Sequence, residues 1–318
     1  MHMAISSRVT VFPDIHTVMT LTPSGSLASN GWMLASLANQ GKYCFRMSFA
    51  DAKRNDVDFV LGSPRQFQKF LAGASETSGR KIKLAYLSGA PVPLPQRKEI
   101  LSHFETMRVG YGASETGNAI THNYITEENI EDMSLGQPLP WAKLEILDDT
   151  GQPVAPGETG FVRMKSAAMS PGYLDANGKD PENLRNGWFY SGDLARLNEN
   201  GNLVLLGRRD DRLNIGGVKV DAVTIDNALV EFDGVDEGGA FIWTAPATGA
   251  ECLAVAIAVK NGHDSQNIEE RVRALCASRF EKTYVPEKVF IASSLPRNRN
   301  GKLQRNRIAE SLKATALA

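Results

Sequence analysis

The chain has 318 residues and a formal net charge of −1, and it is 42% hydrophobic and 22% charged. That length holds one or two domains with a substantial core, and the balanced charge gives no global pull toward nucleic acid or an anionic membrane. The three cysteines, Cys44, Cys252 and Cys276, and five scattered histidines match neither zinc-ligand nor disulfide-framework spacing; reduced thiols are expected. No apolar run approaches the roughly 20 residues of a membrane span. Met1-His2-Met3-Ala4 has no charged segment leading into an apolar one, so a cytoplasmic protein without a signal peptide is expected.

In chain order the sequence reads as three zones. Residues 1–118 mix short apolar runs with helical stretches. Phe59-Val60-Leu61-Gly62 and Leu84 to Gly89 read as buried strands ending in glycine turns, and Pro64 to Leu71 has helical spacing. After Pro95, the residues Ile100, Leu101 and Phe104 make another helical face. Alternating strand and helix predicts part of a parallel α/β sheet. Residues 119–206 hold short strands, at Lys143–Leu147, Gly160–Met164 and Leu203–Leu206, separated by turn signals such as Pro156-Gly157 and Asn200-Gly201; a small antiparallel β unit is expected. Residues 207–318 predict a small α/β module. It has a helix at Ala222–Val230, strands at Gly239–Ala245, Glu251–Lys260 and Lys288–Ile291, a helix with Ile268, Val272, Leu275, Cys276 and Phe280 on one face, and a short terminal helix.

Four segments could carry chemistry. In Gly110-Tyr111-Gly112-Ala113-Ser114-Glu115-Thr116-Gly117, small residues let a ligand approach the backbone. An aromatic beside them can stack on a base, and Ser114 with Glu115 suits a hard cation that bridges phosphates. The same residues could equally form a capped glycine turn. The segment misses the last glycine of a nucleophile elbow, and Glu115 breaks a dinucleotide fingerprint. In Ser191-Gly192-Asp193, the carboxylate could close a turn or accept hydrogen bonds from a ribose diol. Gly207 to Val220 clusters charges after a strand and then spaces them with glycines, as a linker would. From Arg297 to Arg307 there are five basic residues and no acidic one. This stretch reads as a solvated tail, as a nucleic-acid patch without a supporting face, or as a Gly-Lys that presents a point charge to a phosphate or carboxylate.

In this order the four segments resemble the AMP-forming adenylating superfamily, which includes acyl- and aryl-CoA synthetases, adenylation domains of peptide synthetases, and firefly luciferase. The resemblance spans nearly the whole chain. It implies a large α/β domain with an antiparallel β subdomain, followed by a small mobile C-terminal α/β domain. It also implies two steps: a carboxylic acid and ATP form an acyl-adenylate and pyrophosphate, and a thiol of CoA or a carrier-protein pantetheine then displaces AMP. Carried over residue by residue, Tyr111 is expected beside adenine, with Gly89, Ala90 and Gly112 lining the nucleotide. Ser114 and Glu115 serve the phosphates and Mg2+, and Glu115 is counted as catalytic. Asp193 and Arg208 hold the ribose, Asp210 is the hinge, and Lys302 is the adenylation lysine. Gly216 and Gly217 face the thiol step.

The sequence departs from the family pattern in places. The Ser/Thr/Gly-rich loop that binds the β- and γ-phosphates is not found in residues 1–30, where Ala4 to Asp14 resembles the stretch soon after it. A fragment or truncated chain is therefore expected, weakly active or inactive alone and paired with a second copy or a missing N-terminal half. Asn214 stands where many members have Lys, Thr224 where an acid is usual, and Ser114 where Thr is commoner. Pro23-Ser24-Gly25-Ser26 puts small residues where an aromatic or His often flanks the acyl group. A truncated paralogue that only binds an adenylate or acyl group stays an alternative, as does a basic-tailed interaction domain. No nucleic-acid or membrane partner is expected.

Overall fold

The computed structural model describes residues 14–74, 80–117, 119–173, 183–208, 212–245, 248–260, 262, 267–297 and 303–316. Contacts divide the chain into two units, residues 1–205 and 206–318, each described by itself.

The first unit opens with β1 (Thr17–Thr20), α1 (Leu27–Ala38), β2 (Lys42–Phe45), α2 (Phe49–Arg54), β3 (Phe59–Gly62), α3 (Pro64–Leu71), β4 (Ile82–Ser88), α4 (Leu94–His103) and β5 (Phe104–Gly112). These five strands are parallel, as the alternating pattern predicts. The antiparallel β6 (Ala119–Ile125) and two-residue β7 (Gln137–Pro138) complete a sheet of order β2-β1-β3-β4-β5-β6-β7. Local signals explain α3. Pro64 sits at its first turn, Ser63 Oγ accepts from Gln66 N, and Gln66 Oε1 accepts from Ser63 N at 2.8 Å, closing a capping box. Helical spacing then puts Phe67, Phe70 and Leu71 on the buried side. Burying a side chain such as Phe67 contributes about 1.5–3 kcal/mol.

Both sheet faces are covered. Successive strand residues point to opposite sides, so Val60, Ala85, Leu87 and Met107 meet Phe49, Phe67, Ile100 and Leu101 of α2, α3 and α4. Phe59, Leu61, Leu84 and Tyr86 meet Trp32 and Ala35 of α1. Burial on both faces accounts for the continuous apolar runs of β3 and β4. Asp58, just before β3, ties the sheet together: its carboxylate accepts from Thr17 N at 3.1 Å and His16 N at 3.2 Å and pairs with Lys83 at 3.1 Å. Burial pushes this carboxyl up, yet the Thr17, Lys83 and His16 contacts outweigh it and hold the pKa below its ordinary value. Phe104 differs from the expectation. It caps α4 in an extended conformation, starts β5, and is fully buried. The chain passes from helix to strand with no loop, so the residue's apolar side chain serves the sheet.

The second sheet is antiparallel, with β8 (Ala142–Leu147), β9 (Gly160–Ser166), β10 (Leu184–Arg185) and β11 (Trp188–Leu197) in the order β10-β11-β9-β8 and β12 (Leu203–Arg208) pairing β11. Its core residues Ile146, Val162, Met164 and Phe189 pack with Tyr111 and Ile120 of the first sheet. This packing locks the two sheets against each other at the carboxyl end of β5.

In the second unit β13 (Arg212–Ile215) and β14 (Val218–Asp221) form a hairpin, followed by α5 (Ala222–Glu231), β15 (Val235–Thr244), β16 (Glu251–Val259), α6 (Ile268–Arg279), β17 (Lys288–Ile291) and α7 (Arg305–Ala316). Asp221 caps α5 by accepting from Val223 N at 3.0 Å. The sheet β15-β16-β17 has its core in Ile225, Leu229, Val255, Ile257, Val272 and Cys276. The three cysteines are free thiols, and burial raises the pKa of each. Among the described residues no helix is long and apolar enough to cross a membrane.

Candidate functional site

The first unit gathers most of the residues singled out in the sequence. β4 and β5 are parallel neighbours with Ser88 opposite Gly110, so Gly89, Ala90, Tyr111 and Gly112 sit at the same end of the sheet. Gly89 adopts φ +92° and is exposed, as is Ala90. The glycine-rich segment is only partly a turn: Gly110 to Gly112 finish β5, and the turn begins at Ala113. That turn is held by Thr116, whose Oγ1 donates to Ala113 O at 2.8 Å and accepts from Ala113 N at 3.1 Å. Ser166 Oγ donates to Thr116 O at 2.5 Å, and Ser170 N donates to Glu115 O at 2.7 Å. Ser114 and Glu115 therefore project from a braced turn, Ser114 exposed and Glu115 half-buried.

Asp193 reaches this end of the sheet from β11. The ladder between β11 and β9 shifts register between Tyr190 and Leu194, and Gly192 within the bulge has φ +73°. A bulge re-aims side chains, and glycine adopts this conformation without steric penalty. The Asp193 carboxylate, 4% exposed, accepts a hydrogen bond from the Tyr111 hydroxyl at 2.6 Å. Ser191 Oγ lies 3.1 Å from the same hydroxyl and accepts from Asp193 N at 3.1 Å. Two segments 82 residues apart thus meet at one buried carboxylate.

The sequence reading missed Tyr173. Its hydroxyl donates to Glu115 Oε1 at 2.6 Å, and Asn183 Nδ2 donates to the Tyr173 hydroxyl at 3.2 Å. Burial first, and the Glu115 contact second, raise the Tyr173 pKa. The only available signal was an aromatic after Pro171-Gly172 in a polar stretch. Among the described residues no group of three His, Cys, Asp or Glu side chains could hold a metal by itself. One carboxylate, Glu115, with the Ser114 hydroxyl nearby fits a Mg2+ that keeps several waters and takes its other ligands from substrate phosphates.

The remaining predicted residues belong to the second unit. Arg208 ends β12 and is exposed. Gly216 and Gly217, at φ +58° and +89°, are the two central residues of the β13–β14 hairpin. Positive φ at both positions is what a type I′ turn requires. Asp210 and Lys302 lie outside the described residues. Beside Lys302, two of the five basic side chains are engaged within the unit. Arg297 pairs with Glu237 at 2.9 Å, and Arg305 pairs with Asp226 at 2.7 Å and donates to Ala240 O at 2.8 Å.

Residues 6–174 match the family described as AMP-binding enzyme, and residues 224–302 match the AMP-binding enzyme C-terminal domain. The chain belongs to the AMP-binding enzyme family. It is similar to 2-succinylbenzoate–CoA ligase of Bacillus velezensis, 30% identical over 79% of this chain and 50% of the relative. It is also similar to oxalate–CoA ligase of Arabidopsis thaliana, 27% identical over 96% of this chain and 59% of the relative. The chain thus spans about half the length of the curated relatives it matches. Its fold matches O-succinylbenzoate coenzyme A synthetase of Bacillus subtilis in complex with ATP and magnesium ion, with TM-score 0.81, 22% identity, and coverage of 96% of this chain and 64% of that one.

Proposed function

We propose that the protein is an AMP-forming acid–thiol ligase. A carboxylate oxygen attacks the α-phosphorus of ATP, the new O–P bond forms as the bond to pyrophosphate breaks, and an acyl-adenylate results. A thiol sulfur then attacks the acyl carbon, the C–O bond to the phosphate breaks, and AMP leaves. The observation that carries this reading is the buried contact of Tyr111 with Asp193, which joins the aromatic of one motif to the carboxylate of another. The names of the relatives support CoA as the thiol; carrier pantetheine is the other acceptor the family implies.

In this reading the end of β5 presents the Tyr111 ring to adenine, with Gly89, Ala90 and Gly112 leaving room for the nucleotide. Asp193 accepts from the ribose hydroxyls, aided by Arg208. Ser114 and Glu115 face the phosphates, and bound Mg2+ would neutralise phosphate charge. Lys302 contacts the carboxylate and α-phosphate in the first step, Asp210 is the hinge of the C-terminal unit, and Gly216 and Gly217 face the thiol. Such chemistry rests on positioning and charge neutralisation. The test is calorimetric titration with AMP, followed by ATP–pyrophosphate exchange over short, long and aromatic acids. Saturable AMP binding that Asp193→Asn weakens, and exchange that Lys302→Ala removes, are expected. No AMP binding, or binding indifferent to Asp193→Asn, would refute the reading.

A further inference from the structure

Tyr111 was singled out for its ring, yet its hydroxyl is aimed elsewhere. The phenol has one proton, and both Asp193 Oδ2 at 2.6 Å and Ser191 Oγ at 3.1 Å are within hydrogen-bond reach of it. The carboxylate is the nearer and the charged acceptor, and charge-assisted O–H···O bonds are the shorter and stronger kind. The proton therefore serves Asp193. Both partners are buried, Tyr111 at 9% exposure and Asp193 at 4%, so water competes little for this bond. Asp193 stands where the ladder between β11 and β9 shifts register, so its side-chain direction departs from the regular alternation and depends on local hydrogen bonds. Ser191 completes the bracing by accepting from Asp193 N. Tyr111 itself is firmly set: it belongs to β5, opposite Thr121 of β6, and packs in the core between the two sheets.

We propose that Tyr111 is a positioning residue for ribose recognition, its hydroxyl holding the Asp193 carboxylate in the orientation that accepts the ribose diol. The nucleotide's sugar is then recognised through a buried β5 side chain that donates to a carboxylate at the β11 bulge. This inference rests on the AMP-binding reading above and deepens it. Its content is separable from ring stacking, because Tyr111→Phe keeps the ring and removes only the donor.

The experiment is calorimetric titration of the full chain and its Tyr111→Phe, Asp193→Asn and doubly substituted variants with AMP and with 2′,3′-dideoxy-AMP. Tyr111→Phe is expected to weaken AMP at least tenfold and dideoxy-AMP less than threefold. In the Asp193→Asn background the added Tyr111→Phe is expected to change AMP affinity by less than twofold, because the two act as a unit. Ser191→Ala, which removes the acceptor of Asp193 N and leaves the Tyr111 side chain itself unaltered, should give the same pattern with a smaller loss. This variant keeps the test decisive where Tyr111→Phe fails to fold. Equal weakening of both ligands would mean a general structural role and would overturn the proposal. An unaffected Tyr111→Phe beside a crippled Asp193→Asn would overturn the proposal while leaving the AMP-binding reading intact. No discrimination between the two ligands by the unaltered chain would overturn both.

Discussion

Two tyrosine–carboxylate pairs in the first unit make the same bond at the same length in different surroundings. Tyr111 donates to Asp193 and Tyr173 donates to Glu115, each at 2.6 Å. The first pair is buried between two sheets, whereas Tyr173 is 40% exposed and Glu115 only half-buried. A buried charge-assisted bond is worth about 1.5–3 kcal/mol because the alternative is an unsatisfied charge. At the surface, water replaces the partner and the net worth falls to about 0–1 kcal/mol. Under the proposed function this is a division of labour: Asp193, proposed for the sugar, is held in a buried pair, and Glu115, proposed for metal and phosphates, is in a solvent-accessible pair that can exchange partners.

The largest effect is expected from removing the buried acceptor. Asp193→Ala should weaken AMP binding by about 100-fold, roughly 2.7 kcal/mol, in calorimetric titration; unchanged affinity would remove Asp193 from the site. Next comes stability. In urea unfolding, Tyr111→Phe should lose about 1–2 kcal/mol and Tyr173→Phe less than about 0.5 kcal/mol. Equal losses would show that burial is not what separates the pairs. Glu115→Gln should leave unfolding within about 0.5 kcal/mol of the unaltered chain while reducing the Mg2+ enhancement of ATP binding by about tenfold. Retained enhancement would place the metal elsewhere.

The smallest effect is a titration. Burial, then the Glu115 contact, raises the Tyr173 pKa. A raised folded-state pKa means that the neutral phenol contributes stability below the unfolded value near about 10 and loses it as pH rises through the folded value. Ultraviolet titration of Glu115→Gln should bring Tyr173 back toward about 10, and an unmoved curve would show that Glu115 contributes nothing.

Much of the local structure was legible in the residues. Pro64 to Leu71 is a helix with the start that Ser63, Pro64 and Gln66 encode, and the runs at Phe59–Gly62 and Lys288–Ile291 are strands over those same residues. Other features were hidden. Phe104 fits a helical face by spacing and belongs to a strand, because spacing does not reveal where backbone hydrogen bonding changes partner. β6 and β7 join the first sheet, although their turn-rich neighbourhood reads like the second. Tyr173 had no local mark beyond its place after Pro171-Gly172, since its contact with Glu115 spans 58 residues of chain.

By itself the sequence determined the family, the alternating α/β order and the small α/β module at the end, and it supplied the residues proposed to handle a nucleotide. These follow from short-range pattern: apolar periodicity, turn glycines and the order of four motifs. Only the tertiary structure decided which of those residues meet. A bulge in β11 turns Asp193 toward the end of β5, and a core shared by two sheets sets Tyr111 against it. It also decided that Gly216 and Gly217 form a hairpin turn and that Arg297 and Arg305 pair with Glu237 and Asp226. The physical reason is range. A hydrogen bond or ion pair is fixed within about 3–4 Å of space, and it places no constraint on the number of residues between its partners.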